Sequence, residues 1–383
     1  MAIKTNYLAK EKVKSTFTVP DYYKDFVCKG GDCRDSCCVG WKVTIPMEQY
    51  FFLHGLNCNK KVKEKIDRTF RPILQGTPER YAEIVHTMDG DCPLHKKDGY
   101  CLLHETCGEE VLPWVCRYYP RGPRIDYAHE ASCANSCEKT LELLFENEDK
   151  LTFETKELSF LMTKPAKLPD EEHKILYHKI RKEIFAILTN RDYLLYERII
   201  HLGRYLKAIE TNIDAKYENL DLSIERHDES VDESYQILFE LLDNFEGRYK
   251  RLSEQLDEAK SFYLLKDVNA TYKEIRHKFY QTIEKHEIWF EKMLINDLFF
   301  KQFPFQTNFQ VSDQYLALCG TYVLLRYISM NLMFNKYTLD DFIDITSKSF
   351  TVISHSEFDK LLASLMKRYN LNDTGNLAKI MQF

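Results

Sequence analysis

The spacing of apolar residues changes at about residue 150. Up to residue 147 the apolar runs are short and are interrupted by Cys, Gly and Pro. Residues 41–45 alternate as a small strand does, and residues 48–56 and 60–70 have the spacing of short helices. Residues 1–20 predict a short polar helix or arm that ends at Pro20.

Beyond Cys137 the apolar residues recur at three- and four-residue intervals, which indicates helices. The predicted helices cover residues 138–148, 170–189, 192–210, 235–256, 271–298, 312–334, 339–347 and 357–369. Residues 208–234 are rich in Asp and Glu and predict an exposed connection or a loose helix. We see no ladder of alternating strands. The pattern predicts a mainly α protein, in which a small, irregular, cysteine-rich metal-binding domain (residues 1–150) packs on an α-helical body (residues 151–383).

Composition excludes several classes of protein. Lys and Arg number 53 against 59 Asp and Glu, a net charge of −6, which argues against a protein that coats nucleic acid. The most apolar segment, residues 315–334, contains Arg326 and several polar residues, so we expect a buried core helix and no membrane span. The first residues contain no apolar run of signal-peptide length, which predicts a cytoplasmic protein.

The cysteines are concentrated in the first part of the chain. Eleven of the 12 lie between Cys28 and Cys137. Such a density indicates either disulfides or a site for a soft metal. A reducing cytoplasm disfavours disulfides, and so do the adjacent Cys37 and Cys38, which cannot easily both join a compact framework. The sequence therefore favours metal ligation by thiolates.

The identity of the metal stays open between zinc and an iron–sulfur cluster. Structural zinc favours paired C-x2-4-C motifs, and no second clean pair follows the first cysteines. Cys92 is followed by Pro93, and a cysteine ligand followed by proline also occurs in ferredoxin motifs. This favours an iron–sulfur cluster. The cysteines could supply one cluster with reactive thiols, two sites, or one site with spares. Five histidines could complete a mixed site, although none has ligand spacing: His54, His86, His95, His104 and His129.

The run from Cys116 to Arg121 places two arginines and two tyrosines beside a candidate ligand. Arg117 and Arg121 could clamp an anion or a cofactor, because a guanidinium group presents a planar fork of donors. The same run could equally be a strand edge whose tyrosines pack on the site. The chain has no G-x-G-x-x-G loop, no P-loop and no C-x3-C-x2-C run, so the usual nucleotide and radical-enzyme signatures are absent.

The cysteine motif resembles the opening of the flagellin lysine N-methylases, over roughly residues 20–145. The residues that carry the resemblance are Tyr22, Phe26, Cys28, Cys33, Asp35, Ser36, Cys37, Cys38, Gly40, Trp41, Val43 and Ile45, followed by Cys92-Pro93, Cys101, Cys116, Tyr119-Pro120-Arg121 and Ser132-Cys133. A looser similarity extends to small cysteine-cluster proteins that chelate zinc or iron. The resemblance implies methyl transfer from S-adenosylmethionine to lysine ε-amino groups of flagellin, with an iron–sulfur cluster of the 4Fe–4S type.

The resemblance also implies a pool of metal ligands. The pool is Cys28, Cys33, Cys37, Cys38, Cys92, Cys101, Cys116 and Cys133. Cys58, Cys107 and Cys137 fall outside the pattern and are expected to be spares. The family tends to have Cys-Pro-Glu-Ala-Ala where Cys137 stands. The chain departs from it there, so Cys137 could be an added ligand.

Methylation of a lysine requires the neutral amine, whereas the free side chain has a pKa of about 10.4. Asp35, Tyr118 and Tyr119 are the candidate catalytic residues because they lie near the ligands in sequence. Arg117, Arg121 and Trp41 are the candidate cofactor-binding residues. Trp41 could equally be a core anchor.

Two further questions stay open at this point. The cluster could bind S-adenosylmethionine, pass electrons or hold the fold together. The alternative to an enzyme is a non-catalytic zinc- or iron-binding adaptor, or a redox-sensing protein, whose helical body docks a partner.

Overall fold

The computed structural model describes residues 11–162, 168–224, 231–245, 252–261, 268–283, 286–305, 309–333 and 338–382. The described part is mainly helical, as the sequence predicts, and it also contains two small sheets. Its apolar side chains form two separate cores, a small one in the cysteine-rich segment and a large one in the rest.

The larger sheet joins segments that are far apart in the chain. It has the order β5-β6-β1-β7, formed by β1 (Glu11–Pro20), β5 (Arg121–Arg124), β6 (Glu130–Cys133) and β7 (Phe153–Met162). β1 is antiparallel to β7 along its whole length and parallel to β6. The predicted helix or arm is therefore wrong from residue 11 onward, and residues 1–10 lie outside the described residues. Phe17 and Val19 alternate toward the core, as strand residues do.

The small core lies between Val43 and Leu112. Its sheet has the order β2-β4-β3, with β2 (Thr44–Ile45), β3 (Phe70–Pro72) and β4 (Ala82–Ile84). Four short helices surround it: α1 (Met47–His54), α2 (Lys60–Thr69), α3 (Leu102–Cys107) and α4 (Trp114–Tyr118). The predicted helices at 48–56 and 60–70 are confirmed as α1 and α2, and of the predicted strand at 41–45 only Thr44–Ile45 is a strand. The sequence showed no ladder of alternating strands, whereas these three strands pair into a sheet.

The remaining helices form the larger core. They are α5 (Glu138–Phe145), α6 (Glu171–Leu188), α7 (Leu195–Thr211), α8 (Val231–Phe245), α9 (Ser253–Ser261), α10 (Val268–Ile283), α11 (His286–Phe300), α12 (Val311–Met333), α13 (Leu339–His355), α14 (Phe358–Arg368) and α15 (Thr374–Gln382). The predicted helices at 235–256 and 271–298 each correspond to a pair, α8 with α9 and α10 with α11. The junctions at 246–251 and 284–285, and residues 225–230 of the acidic connection, lie outside the described residues.

Helix α12 is the buried core helix that the sequence predicts. Most of its side chains are buried, including Leu324, Ile328 and the polar Ser329. Across the described residues, no helix has the length and hydropathy that crossing a bilayer requires.

The chain on both sides of the small core packs in the larger core. Phe17 and Tyr22 precede the small core, Leu141 and Leu144 follow it, and all four belong to the larger core. The smaller core is thus an insertion between two stretches that pack with the helical body. The domain boundary at residue 150 stays a prediction.

Candidate cysteine site

Backbone pairing brings three of the predicted ligands together. The N–H of Cys92 donates to the carbonyl of Cys38 at 2.8 Å, and Val39 pairs with Asp91 as an isolated antiparallel bridge. A second bridge pairs His95 with Cys101, where the chain turns back on itself. Residues 92–101 therefore form a tight loop whose two ends, both cysteines, lie beside Cys38.

The loop that carries Cys28 and Cys33 packs on that turn through glycines. A Cβ atom at Gly99, which has φ +82°, would lie 2.6 Å from Cα of Gly31. A Cβ at Gly30 would lie 2.8 Å from Cε1 of Tyr100. Real Cβ atoms do not approach neighbours this closely, so only glycine permits the contact. The contact places the early cysteines over the late ones.

The other side of the same loop is held by the carboxylate of Glu138, at the start of α5. It accepts hydrogen bonds from Lys29 Nζ at 2.6 Å and from the backbone N–H groups of Arg34 and Asp35 at 3.1 and 3.0 Å. Burial opposes its charge, but these hydrogen bonds lower the pKa of Glu138 below its ordinary value. Glu138 thus fixes the backbone between Cys33 and Cys37.

The two loops and α4 enclose a mostly apolar cavity of about 160 Å³ inside the small core. Trp41, Tyr119 and aliphatic side chains of the core line it. Seven of the eight predicted ligands line it as well: Cys28, Cys33, Cys37, Cys38, Cys92, Cys101 and Cys116. The described cysteines are all free thiols.

Five of these thiols influence one another. Burial, and then the negative charges of Cys38, Cys92 and Cys101, raise the pKa of the Cys116 thiol. Burial raises the pKa of Cys92 to about 12, with contributions from Cys38 and Cys101. The hydrogen bond from Cys37 lowers the pKa of Cys38 to about 6. Several thiolates crowded into an apolar site repel one another, and a bound cation removes that cost.

A second group of thiols lies toward α5. Burial, the charge of Glu138 and then those of Cys137 and Cys28 raise the pKa of Cys33 to about 12. Cys137 also raises the pKa of Cys133, after burial. Cys133 itself is fully buried in the larger core, and its N–H donates to Tyr22 Oη at 3.0 Å. It is the one predicted ligand that does not line the cavity.

The donor set suits a soft metal, but its spacing does not suit a single ion. Across the described chain, no three His, Cys, Asp or Glu side chains lie close enough to hold one metal ion. In a 4Fe–4S cluster each of the four thiolates binds a different iron, so the thiolate sulfurs lie farther apart than around one ion. Thiols spread over a cavity fit a cluster better than a tetrahedral zinc site.

Among the predicted catalytic residues, Tyr119 lines the cavity and Tyr118 does not. The Tyr119 hydroxyl donates to Ser136 Oγ at 3.0 Å. Burial, then the charges of Cys137, Cys37 and Asp35, raise the pKa of Tyr119, so the phenol is protonated at neutral pH. Asp35 thus lies within electrostatic reach of Tyr119. Tyr118 packs on Phe160, and its oxygen accepts the N–H of Leu161 at 2.9 Å.

Of the predicted cofactor-binding residues, Trp41 lines the cavity. Its Nε1 donates to the Cys37 carbonyl at 2.7 Å. Arg117 forms an ion pair with Glu109 at 3.7 Å, and Arg121 lies over the ring of Phe26 at 4.9 Å. Neither arginine is among the residues that line the cavity.

One residue near the site, His355, was missed as a functional candidate. Cys137, expected to be a spare or an added ligand, lies with Cys28 and Cys33. His355 ends α13, and its Nε2 lies 2.9 Å from Ser136 Oγ while its ring stacks on Trp41, with centroids 4.3 Å apart. Nothing in the local sequence marks His355, because the contact joins residues over 200 positions apart. The expected spares Cys58 and Cys107 do not line the cavity.

Comparison with known proteins adds an independent finding. The family model described as "FliB lysine N-methylase C-terminal domain" matches residues 181–380, just over half of the chain. The match covers the helical body and leaves the cysteine site outside it.

Curated relatives are similar over shorter stretches. The Lysine-N-methylase of Salmonella typhimurium is 26% identical over 151 residues, which is 37% of this chain and 35% of that protein. The Flagellar biosynthetic protein FliU of Salmonella muenchen is 28% identical over 114 residues, 28% of this chain and 62% of that protein. The chain thus matches about a third of the length of the first relative. No solved structure matches it.

Proposed function

The chain belongs to the FliB lysine N-methylase family, and from that premise we propose that it transfers methyl groups from S-adenosylmethionine to lysine ε-amino groups of flagellin. The observation that carries the proposal is a single apolar cavity lined by seven cysteines and by Tyr119. The names of the relatives, a lysine methylase and a flagellar biosynthetic protein, support the reaction and the substrate. We place the protein in the cytoplasm, where its thiols stay reduced.

We assign four cysteines as the ligands of a 4Fe–4S cluster: Cys38, Cys92, Cys101 and Cys116. The support is that backbone hydrogen bonds fix three of them around one turn, and that the fourth faces them from α4. When bound, such a cluster would offset the negative charges of the crowded thiolates and stabilise the small core. Cys28, Cys33, Cys37 and Cys137 form the neighbouring thiol group.

The reaction needs few protein groups besides those that hold the substrates. The lysine nitrogen loses a proton to water, and its lone pair attacks the methyl carbon of the sulfonium. The carbon–sulfur bond breaks, its electron pair stays on sulfur, and the products are a methylated lysine and S-adenosylhomocysteine. The apolar wall of the cavity favours the neutral amine, because removal from water disfavours an ammonium charge. Among the hydroxyl-bearing residues of the wall, we assign Tyr119 the role of orienting that amine, because its ring lines the cavity and its hydroxyl is held by Ser136.

The test is methyl transfer by protein purified without air. Iron, acid-labile sulfide and the visible spectrum are measured first, and the protein is then incubated with S-adenosylmethionine and purified flagellin. We expect iron and sulfide in equal amounts, and a gain of methyl groups on flagellin lysines by mass spectrometry. Zinc without sulfide, together with no transfer and no heat of S-adenosylmethionine binding, would favour the adaptor alternative instead.

A further inference from the structure

Helix α13 of the helical body lies along the cysteine loops. Near its middle, Asp344 Oδ1 accepts from Arg34 Nε at 2.7 Å, within the loop between Cys33 and Cys37. About three turns farther on, the ring of His355 stacks on Trp41. Both α13 residues fall in the part of the chain that the family model matches. The family domain therefore contacts Arg34 of a cysteine loop and Trp41 of the cavity wall, although the thiols themselves lie outside that domain.

At the end of α13 three side chains form a hydrogen-bonded row. Tyr119 Oη donates to Ser136 Oγ at 3.0 Å, and Ser136 Oγ lies 2.9 Å from His355 Nε2. In the neutral tautomer with its proton on Nδ1, the imidazole accepts the Ser136 proton at Nε2, while the serine oxygen accepts the phenol proton. Burial, and then the charge of Lys301, lower the pKa of His355 to about 4, so the ring is neutral at pH 7.

The row fixes which way the phenol proton of Tyr119 points. With that proton committed to Ser136, the oxygen of Tyr119 keeps a lone pair and acts as an acceptor. The ring is also held by packing, 5.6 Å from Trp41 and 6.0 Å from His355 between centroids. An acceptor fixed on the wall of the cavity can receive an N–H of an amine and so orient its lone pair.

We propose that His355 is a positioning residue: through Ser136 it holds the Tyr119 phenol as a fixed acceptor for the ε-nitrogen of the lysine to be methylated. The role rests on the proposed lysine methylation. His355 itself is not among the residues that line the cavity. The helical body thereby contributes to catalysis from outside the cysteine site.

Two substitutions of His355 distinguish the effect of its hydrogen bond from the effect of its ring packing on Trp41. His355→Phe keeps a ring on Trp41 and removes the acceptor, whereas His355→Gln restores an acceptor near the place of Nε2. We expect kcat to fall by roughly 10- to 100-fold in His355→Phe, with little change in the KM for S-adenosylmethionine, and to return to within roughly threefold in His355→Gln. Iron and sulfide content should equal those of the wild type in both.

Tyr119→Phe and a matched control complete the design. If His355 acts through Tyr119, the double variant Tyr119→Phe/His355→Phe should be no slower than Tyr119→Phe alone. His129→Phe is the control, since His129 also bonds a serine hydroxyl, Ser15, at 2.6 Å, and stacks on Phe17 outside the site. It should leave kcat unchanged. Additive losses, a loss in His355→Gln as large as in His355→Phe, or loss of iron in His355→Phe would overturn the positioning role.

A readout that needs no methylation keeps this inference separate from the proposed function. Nitrogen-15 NMR of labelled histidine should show His355 neutral at pH 7, with the proton on Nδ1, and Ser136→Ala should shift its Nε2 signal. An Nε2–H tautomer or an imidazolium would overturn the row even if the protein methylates flagellin. If His355 shows the expected tautomer but the protein transfers no methyl groups, the proposed function is wrong and the hydrogen-bonded row stands.

Discussion

Gly99 and Gly31 pack backbone against backbone, so that a Cβ atom on Gly99 would lie 2.6 Å from Cα of Gly31. This contact joins the loop of Cys28 and Cys33 to the turn that ends at Cys101. It is therefore the point at which two distant cysteine motifs become one cavity wall.

Gly99→Ala should separate these two segments. Gly90→Ala is the matched control, because Gly90 has a similar φ of +88°, yet a Cβ there would meet only Val39 Cγ1 at 4.0 Å. Each substitution costs about 1 kcal/mol of backbone strain, and Gly99→Ala adds the clash, about 2 kcal/mol more. We expect loss of iron and sulfide in Gly99→Ala alone, measured by metal analysis and by denaturant unfolding. Equal metal content in both variants would contradict the assigned contact.

Cys116→Ala should abolish the visible absorption and much of the folded small core. Because metal binding and folding are coupled, the segment without metal loses the binding free energy that offsets the cavity in its core. Cys107→Ala is the control, since Cys107 does not line the cavity, and it should retain the wild-type metal content. Iron analysis and circular dichroism measure both effects. Full iron in Cys116→Ala would show that α4 supplies no ligand.

Acid should destabilise the protein partly through His355. Its pKa in the folded state is about 4, against an ordinary value of 6.5, so folding favours the neutral ring. The unfolded chain therefore binds the proton more tightly, and stability falls as the pH drops from 6.5 toward 4. Between pH 7 and pH 5 this group lowers the free energy of unfolding by about 2 kcal/mol. Urea unfolding at both pH values should show that difference, and His355→Gln should show a correspondingly smaller one; equal differences would refute the assignment.

Glu291 should be essential to the stability of the helical body. Its fully buried carboxylate lies between Arg198, at 2.6 Å, and Arg191, at 2.9 Å, and so joins α11 to α7 and to the preceding loop. Glu291→Gln leaves two guanidinium groups without their anion, which should cost about 3 kcal/mol of unfolding free energy. Glu218→Gln removes an exposed partner of Lys216 and should cost less than about 0.5 kcal/mol. Thermal unfolding of both variants measures the contrast; similar midpoints would show that the buried pair is replaceable.

Helix positions were the part of the fold most accessible from the sequence. The predicted helices at 170–189, 312–334 and 357–369 match α6, α12 and α14 within one or two residues. Their three- and four-residue apolar spacing is a local property, because each helix closes its hydrogen bonds within itself. β1 was missed because its partner strand, β7, lies far along the chain, and strand pairing has no local signature of that kind.

The sequence alone predicted thiol chemistry at the site, since the density and order of the cysteines favour soft-metal ligation over disulfides. It also determined the family, through the opening motif. Only the tertiary structure decided which cysteines share a wall, that Tyr119 rather than Tyr118 lines the cavity, and that His355 of the helical body contacts Ser136 and Trp41 behind it. Those relationships depend on how separate elements pack, and a contact between residues 136 and 355 leaves no trace in the spacing of either neighbourhood.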